Sequence, residues 1–309
     1  GGDEPWELGQ GSSRQRVARE GKHAVYLEFL QRLIALANKH GRQAQFWADI
    51  VLERPDLVAA LPNQVSPVIW GYEADTPFDA HCRTVAEAGF RQQFYVAPGA
   101  GNWNSFGGRL GVAQANIWRA AQAGERHGAR GLLLTAWGDN GHHQPWPTLF
   151  APLICAAQAA WGCRPSDTPL PAQIDALFYP GAAHGHGRAL CALGAIDALL
   201  PQPAAPNSFL HSALFASDAQ LGEWLANTTS DALDTVIERL HAIATEGIDP
   251  EITLGVTLNR VAAQRCQQLQ RHGHSARFVE AALQAPIAQF AQQWSRRSRS
   301  GGLSDSLAR

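Results

Sequence analysis

The sequence predicts an α/β fold: the C-terminal half of a (β/α)8 TIM barrel over residues 1–162, followed by an all-α domain over residues 163–309. Three observations predict it. Short apolar stretches alternate with helical stretches, as in parallel sheets built from strand–helix units. Aromatic and acidic residues collect where the apolar stretches end, which is the edge where such barrels keep their active sites. After residue 162 the chain becomes rich in Ala, Leu and Gln at helical spacing.

The predicted elements of the first part follow one another in regular order. A long helix begins at Ser12-Ser13 and ends before Gly41, since serine caps helix starts and glycine ends them. Each later strand is a short apolar run that ends at an aromatic residue or a Gly-rich loop, and a helix follows it. One strand is expected before Gly1. The other strands cover about 43–47, 65–70, 92–96 and 131–136, and the helices about 12–40, 51–61, 78–88, 110–127 and 149–161.

The second part is predicted to be helical, after a Pro-containing linker at 164–171. The pair Asp249-Pro250 is a good helix start, because proline suits the first helical position. We interpret this part as a domain packed on the barrel or on another subunit, so a homodimer through it is an expectation. Its helices are expected at about 188–200, 219–225, 230–245, 250–271 and 276–298.

An open sheet of the flavodoxin type is the alternative fold for the first part. Such a sheet binds its ligand where the strand order reverses, not around a ring of strand ends. Aromatic or acidic residues follow five successive predicted strands, which favours the barrel.

Composition excludes several functional classes. The formal net charge is −2 with an isoelectric point near 6.7, and no basic block is long enough to indicate nucleic-acid binding. No apolar run approaches the roughly 20 residues that cross a membrane. Five cysteines at irregular spacing, without a C-x-x-C pair, indicate buried free thiols in a reducing compartment, so we expect a cytoplasmic protein. The absence of methionine indicates a processed chain or a fragment whose natural N-terminus is missing.

The first four residues, Gly1-Gly2-Asp3-Glu4, place two carboxylates side by side before Pro5. The glycines let the backbone approach a ligand closely, and the proline prevents normal strand pairing. Adjacent carboxylates repel, so burial would raise the pKa of one and leave an acid beside an anion. That division of labour suits glycoside chemistry. Taken alone, however, the tetrapeptide is better explained as a polar turn.

Aromatic and carboxylate side chains mark the later strand ends. A pocket walled by tryptophans with a few carboxylates suits a sugar, because pyranose C–H faces pack on indole rings while hydroxyls bond to carboxylates. Each tryptophan alone is better explained as a core residue, but four of them in register at strand ends favour a site. The residues are Trp47, Asp49, Trp70, Glu73, Tyr95, Trp103, Trp137 and Asp139.

In these motifs the chain resembles glycoside hydrolase family 20, the β-N-acetylhexosaminidases. Gly1-Gly2-Asp3-Glu4 is similar to the strand-four motif of the family, Trp47 and Trp70 to its strand-five and strand-six tryptophans, and Tyr95 to its strand-seven tyrosine. Trp137-Gly138-Asp139 resembles the strand-eight Trp-x-Glu, with Asp in place of Glu. A bacterial subgroup with a C-terminal helical domain is most similar, over residues 1–162. The runs that carry this likeness are Phe94-Tyr95-Val96-Ala97-Pro98-Gly99, Trp103-Asn104-Ser105 and Asp139-Asn140-Gly141-His142.

The resemblance implies an exo-acting hydrolase of terminal β-linked N-acetylglucosamine or N-acetylgalactosamine. In this family the 2-acetamido oxygen of the substrate is the nucleophile, so an oxazolinium forms and the configuration is retained. Glu4 would be the general acid and then the base, Asp3 would orient the acetamido N–H, and Tyr95 would donate to the acetamido oxygen. No metal or cofactor is implied. The sugar-binding residues would be Trp47, Trp70, Trp103 and Trp137, with Asp139 accepting from the distal hydroxyls.

Three departures from the family are visible. No histidine precedes Gly1, and the strand-seven Tyr-x-Asp is Tyr95-Val96-Ala97 here, so one hydroxyl contact is missing or comes from Trp103 or Asn104. The strand-one arginine of the family lies outside the sequence. Because half a barrel would expose sheet edges, we expect this chain alone to be poorly soluble and inactive, and the longer protein to be active.

Two rival functions stay open. Glu73 could pair with Glu4 in an ordinary retaining glycosidase of another barrel family. Alternatively, the chain could be an inactive sugar-binding protein that uses Asp3 and Glu4 only as hydrogen-bond acceptors. The adjacent His142 and His143 point apart, which makes them poor ligands for one metal ion.

Overall fold

The computed structural model describes residues 7–162, 164–182, 185–200 and 208–308. The chain divides into two compact units. Unit 1 comprises Gly1–Gly99, Asn116–Thr135 and Ala159–Cys163, and unit 2 comprises Ala100–Ala115, Ala136–Gln158 and Arg164–Arg309. This division does not coincide with the predicted boundary after residue 162, because two segments of the first part group with the helical part.

The first part of the chain alternates strands and helices, as expected. The strands are β1 (Ala44–Trp47), β2 (Val65–Gly71), β3 (Tyr95–Pro98) and β4 (Gly131–Leu132). The helices are α1 (Arg14–Glu20), α2 (Lys22–Lys39), α3 (Asp49–Leu52), α4 (Pro55–Ala59), α5 (Phe78–Val85) with a π-turn at Ala86–Phe90, α6 (Leu110–His127) and α7 (Phe150–Gly162). Short 3-10 turns cover Asp139–Gly141 and Trp146–Leu149.

The four described strands form one parallel sheet in the order β1-β2-β3-β4. The order follows the chain without a reversal. Because parallel crossovers are right-handed, successive steps in one direction bring the connecting helices to one face of the sheet. The prediction of an α/β fold with a parallel sheet of strand–helix units is therefore confirmed, whereas a strand-order switch of the flavodoxin type is absent from the described strands.

One face of this sheet packs on the helices and forms the core of unit 1. Val65 and Ile69 of β2 and Val96 of β3 lie in this core with Ile34 of α2 and Phe78 of α5. These strand residues alternate along the chain, so the intervening positions lie on the opposite face. β-Branched residues dominate the helix-facing positions, where they fit a pleated surface well.

Several element bounds differ from the predictions. The strand predicted at 131–136 is β4 at Gly131–Leu132 only, and the helix predicted at 51–61 divides into α3 and α4. Two further differences have backbone causes. The predicted helix over 12–40 is interrupted at Gly21, whose φ of 85° and ψ of 149° are not helical. The strand predicted at 92–96 begins only at Tyr95, because Gly89 (φ 98°) ends the preceding π-turn and Gln92 adopts a φ of 62°. The N–H of Gln92 donates to the carbonyl of Gly128 at 2.8 Å, which commits this segment to a turn.

The C-terminal part of the chain contains helices and no strand among its described residues. They are α8 (Leu170–Phe178), α9 (His186–Gly194), α10 (Phe209–Phe215), α11 (Asp218–Leu225), α12 (Ser230–His241), α13 (Pro250–His272), α14 (Ala276–Arg297) and α15 (Leu303–Leu307), with 3-10 turns at Ile196–Leu199 and Ser300–Gly302. Helix α13 is central, and its buried residues include Ile252, Ala262 and Cys266. Helix α8 was not predicted, because its start at Pro169-Leu170-Pro171 looks like a linker, although proline suits a first helical turn.

Three general expectations concern membranes, cysteines and the sheet edge. None of the helices in the described ranges is both long and apolar enough to cross a membrane. Cys82, Cys155, Cys191 and Cys266 are unpaired, as predicted, and burial raises the pKa of each thiol. Cys163 lies outside the described residues. In unit 1, a groove of about 400 Å³ is lined mostly by apolar side chains of α2 and β1, including the half-exposed Phe29 and Leu33, together with Val68 and Leu133.

Candidate functional site

The predicted catalytic pair, Asp3 and Glu4, lies outside the described residues. The candidate site is therefore built from the other predicted aromatic and polar residues, which lie in the strands or in the loops after them. They divide between the two units: Trp47, Trp70 and Tyr95 belong to unit 1, whereas Trp103, Trp137 and Asp139 belong to unit 2.

Unit 1 carries its three predicted aromatic site residues on one face of the sheet. The register pairs Trp47 with Val68, and Val68 with Tyr95, so these residues lie side by side on neighbouring strands. Trp70 lies two residues further along β2 and therefore points to the same side. Since Ile69 and Val96 face the helices, the aromatic face is the opposite one. Trp47, Trp70 and Tyr95 are each half-buried, so their rings retain surface for a ligand.

The prediction that Tyr95 lies at the carboxyl end of its strand is wrong. Tyr95 is the first residue of β3, and its register partner on the following strand is Gly131. The turn at Gln92 delays the start of β3, which moves the tyrosine to the opposite end. A Cβ built on Gly131 would lie 3.4 Å from Cε1 of Tyr95, so the tyrosine ring lies over this glycine.

An acid follows the first of these strands and faces the second. Asp49 begins α3, directly after β1, and burial raises the pKa of its carboxyl. Hydrogen bonds from the Trp70 indole and from backbone N–H groups lower the pKa of Asp49 and partly offset this effect, because they favour the charged carboxylate. Trp70 also packs on Tyr72, with ring centroids 4.9 Å apart. Three groups therefore lie near the end of β2: the Trp70 indole, the Tyr72 phenol and the Asp49 carboxyl, whose pKa is raised.

The loop after β2 is held in place by a buried asparagine of α6. Asn116 has no exposed surface; its Nδ2 donates to the carbonyl of Glu73 at 2.7 Å, and its Oδ1 accepts from the N–H of Gly99 at 2.9 Å. The N–H of Glu73 donates to Oγ1 of Thr76 at 3.1 Å. A side chain at Gly71 would meet the Thr76 methyl at 2.2 Å, so glycine is required there. The backbone of Glu73 is therefore fixed from two sides.

In unit 2, Trp103 occupies the position of a core residue. Its exposed fraction is 1%, and it is among the largest fully buried side chains. An indole without exposed surface cannot stack on a sugar in this conformation, so burial favours the core interpretation for Trp103.

Trp137 and Asp139 lie in a tight polar loop of unit 2. Trp137 is half-buried, and its carbonyl accepts from Nε2 of Gln144 at 2.6 Å. A Cβ at Gly138 would approach Nδ1 of His142 to 2.4 Å, so the loop closes only with glycine there. Asp139 is exposed, yet the surroundings of its carboxyl raise the pKa by desolvation. The side chain of Asp139 thus remains accessible to a ligand hydroxyl.

The chemistry available to the described residues is that of carboxyls, aromatic rings and amides. No group of three or more His, Cys, Asp or Glu side chains that could hold a metal ion occurs within the described ranges. His142 packs edge-on to the Trp294 ring, whereas His143 stacks on Phe215 with centroids 4.9 Å apart, so the two imidazoles pack on different side chains.

The positioning role of Asn116 was not predicted from the sequence. A signal existed: this asparagine interrupts the apolar stripe of α6 formed by Ala113, Ile117 and Ala120, all buried. A polar residue within an apolar stripe must find hydrogen-bond partners. Its partners, the carbonyl of Glu73 and the N–H of Gly99, are distant in sequence and could not be identified from it.

No protein-family model matches the chain, and a search of the curated proteins finds no significant match.

Proposed function

We propose that this chain is the second half of the catalytic barrel of an exo-acting β-N-acetylhexosaminidase, with its helical C-terminal part. The single observation that carries the proposal is the arrangement of Trp47, Tyr95 and Trp70 on one face of a parallel sheet whose order follows the chain. Neighbouring strands are about 4.8 Å apart, so Trp47 on β1 and Tyr95 on β3 are about 10 Å apart, with Trp70 on the strand between them, a spacing that one pyranose with its substituents could bridge. The apolar groove lined mostly by α2 and β1 is a surface that a further strand–helix unit of a barrel would cover.

In the proposed reaction the substrate supplies the nucleophile. Its 2-acetamido oxygen attacks the anomeric carbon while Glu4 protonates the departing glycosidic oxygen; water, deprotonated by Glu4, then opens the oxazolinium with retention. Asp3 stabilises the charge that forms on the acetamido nitrogen. Within unit 1, Tyr95 donates to the acetamido oxygen, and Trp47 and Trp70 pack on the sugar. The resemblance gives Trp137 the role of a further sugar-packing ring and Asp139 that of an acceptor for the distal hydroxyls of an exo-acting enzyme.

The test is turnover of a chromogenic N-acetyl-β-glucosaminide by a protein that contains both halves of the proposed barrel. We expect activity, and at least about 100-fold less on the matched β-glucoside, which lacks the acetamido nucleophile. Glu4→Gln and Asp3→Asn should each lower kcat by at least about 100-fold, because each removes a group acting in the transition state. Unchanged turnover in both variants would refute the mechanism.

A second candidate is an ordinary retaining glycosidase that uses Glu4 and Glu73. It is favoured by the fixed backbone of Glu73, which Asn116 and Thr76 hold directly after β2. In that case Glu73→Gln would abolish turnover, and the acetamido group would be dispensable. Under the first proposal Glu73→Gln keeps most of the activity, so the two candidates give opposite results. A sugar-binding protein would retain the ligand without any turnover.

A further inference from the structure

Unit 2 contains a cavity whose described lining includes none of the predicted catalytic residues or sugar-binding tryptophans, although Asn104, a candidate for one hydroxyl contact, is part of it. Its volume is about 370 Å³, towards the lower end of the range for small-molecule sites, about 300–1,000 Å³. All of its lining belongs to unit 2: the loop residues Asn104 and Asn140, and the helical residues His211, Ser212, Phe215 and Trp224, together with Ala216.

The described residues that line this cavity carry no ionised side chain. Among them there is no carboxylate, lysine or arginine, and His211 is their one titratable group. His211 is buried, and desolvation, with the nearby His143, lowers its pKa to about 3, so it is neutral at neutral pH. A charged ligand would lose its hydration without gaining a counter-charge. The cavity therefore suits an uncharged ligand.

Two asparagines form the polar wall in an uncommon backbone conformation. Asn104 and Asn140 have φ values of 48° and 50°, in the left-handed region that few side chains adopt. Nδ2 of Asn140 donates to Oδ1 of Asn104 at 3.0 Å, which fixes the two carboxamides relative to each other. Such backbone strain clusters at binding sites, where the surrounding structure holds it in place. Ser212 adds a hydroxyl, so this wall can exchange hydrogen bonds with ligand hydroxyl or amide groups.

Two aromatic rings form the apolar wall. Phe215 is 42% exposed although its ring stacks on His143, and Trp224 is half-buried. The carbonyl groups at the end of α10 are already used, because the guanidinium of Arg265 donates to Ala213, Leu214 and Ala216. Ligand contacts would thus come from side chains: amides and a hydroxyl on one side, ring faces on the other.

We propose that this cavity is a binding site for an uncharged, hydroxyl-bearing ring of pyranose size. Aromatic faces match the C–H faces of such a ring, and carboxamides match its hydroxyls. The assignment uses residues of unit 2 alone and does not depend on the chain being a hydrolase.

The probes that test this proposal are three sugars that differ in charge: N-acetyl-D-glucosamine, D-glucosamine and D-glucuronate. Binding is measured by calorimetry at pH 7 on the full chain carrying Trp47→Ala and Trp70→Ala, which removes both tryptophans of the sugar site proposed for unit 1. We expect the neutral sugar to bind at least about tenfold more tightly than either charged sugar. Asn140→Gly, which keeps the left-handed conformation and deletes the carboxamide, should weaken binding about tenfold, and Ala216→Phe should abolish it by filling the cavity.

The matched control is Gln284→Ala on the exposed face of α14, which should bind like the parent. Equal binding of all three sugars, or binding unchanged by both cavity variants, would overturn the assignment, as would no binding of the neutral sugar. Asn140→Gly keeps the test valid should Ala216→Phe fail to fold. Suppose that neither the full chain nor the longer protein turns over the glucosaminide, but Asn140→Gly still weakens the binding of N-acetyl-D-glucosamine. The hydrolase proposal then fails and the cavity assignment stands. If the glucosaminide is turned over and neither Asn140→Gly nor Ala216→Phe changes sugar binding, the result supports the hydrolase and overturns the cavity assignment.

Discussion

The two units of this chain are specified by different kinds of interaction. Unit 1 is organised by apolar alternation: β-branched residues on one face of the sheet pack on helices, and Asn116 is one of few buried polar side chains among its described residues. Unit 2 buries many more polar side chains, among them Arg109, Glu251 and Arg265. Apolar packing is non-directional, whereas hydrogen bonds are directional and costly to leave unmade. Unit 2 should therefore be more sensitive to single polar substitutions.

The largest expected effect is at Arg265. Its guanidinium binds the carbonyls at the end of α10, Oγ of Ser275, and a carboxylate oxygen of Asp218 at 3.0 Å. Arg265→Met should lower the free energy of unfolding by about 3–5 kcal/mol, because it leaves these acceptors without a donor. The measurement is urea unfolding followed by circular dichroism. Arg271→Met, on the same helix but more than half exposed, is the matched control and should cost less than about 1 kcal/mol.

The next effect is a pH dependence that originates in unit 2. His211 is neutral in the folded state down to about pH 3, whereas unfolded histidine takes up a proton near its ordinary pKa of 6.5. The unfolded state thus binds more protons in between, so stability falls as pH falls, by about 3 kcal/mol from pH 6.5 to pH 4. The free energy of unfolding, measured between pH 6.5 and pH 4, should change less with pH in His211→Phe than in the parent. Exposed His241→Phe should keep the parental slope, and an equal slope in all three proteins would contradict the prediction.

A smaller effect is expected at the buried polar residue of unit 1. Asn116→Leu removes the partners of the Glu73 carbonyl and the Gly99 N–H, and should cost about 2 kcal/mol of unfolding free energy. Amide hydrogen exchange of Gly99 should accelerate in the same variant. Gln122→Ala, exposed on the same helix, should change stability by less than about 0.5 kcal/mol. If Asn116→Leu lowered the free energy of unfolding as much as Arg265→Met does, the two units would not differ in their sensitivity to polar substitutions.

The smallest effect concerns a local cap. Ser217 and Gln220 form a capping box at the start of α11. Ser217→Ala should cost about 1 kcal/mol, since one N–H of the first turn loses its acceptor. Thermal unfolding with Ser217→Thr as the conservative comparison measures it, and a loss several times larger would show that the hydroxyl has a role beyond the cap.

Elements with strong local signals were predicted closely. Helix α6 covers Leu110–His127 as expected, and α13 ends one residue later than predicted, after the start set by Asp249-Pro250. The failures have backbone causes. Gly21 breaks a helix whose side-chain pattern is continuous, and Gln92 adopts a positive φ that its residue type does not announce. The positive φ of Gln92 also made the predicted position of Tyr95 in the candidate site wrong, because that position depends on where β3 begins.

The sequence by itself determined the alternation of strands and helices, the parallel class of the sheet and the helical character of the C-terminal part, because periodicity and caps are local properties. Only the tertiary structure decided that Trp47, Tyr95 and Trp70 share one face, since a register shift of one residue would reverse it. It alone decided that Trp103 is buried, that Asn116 holds Glu73, and that Asn104 meets Asn140. These contacts join residues far apart in the chain, and their partners depend on the packing of whole elements.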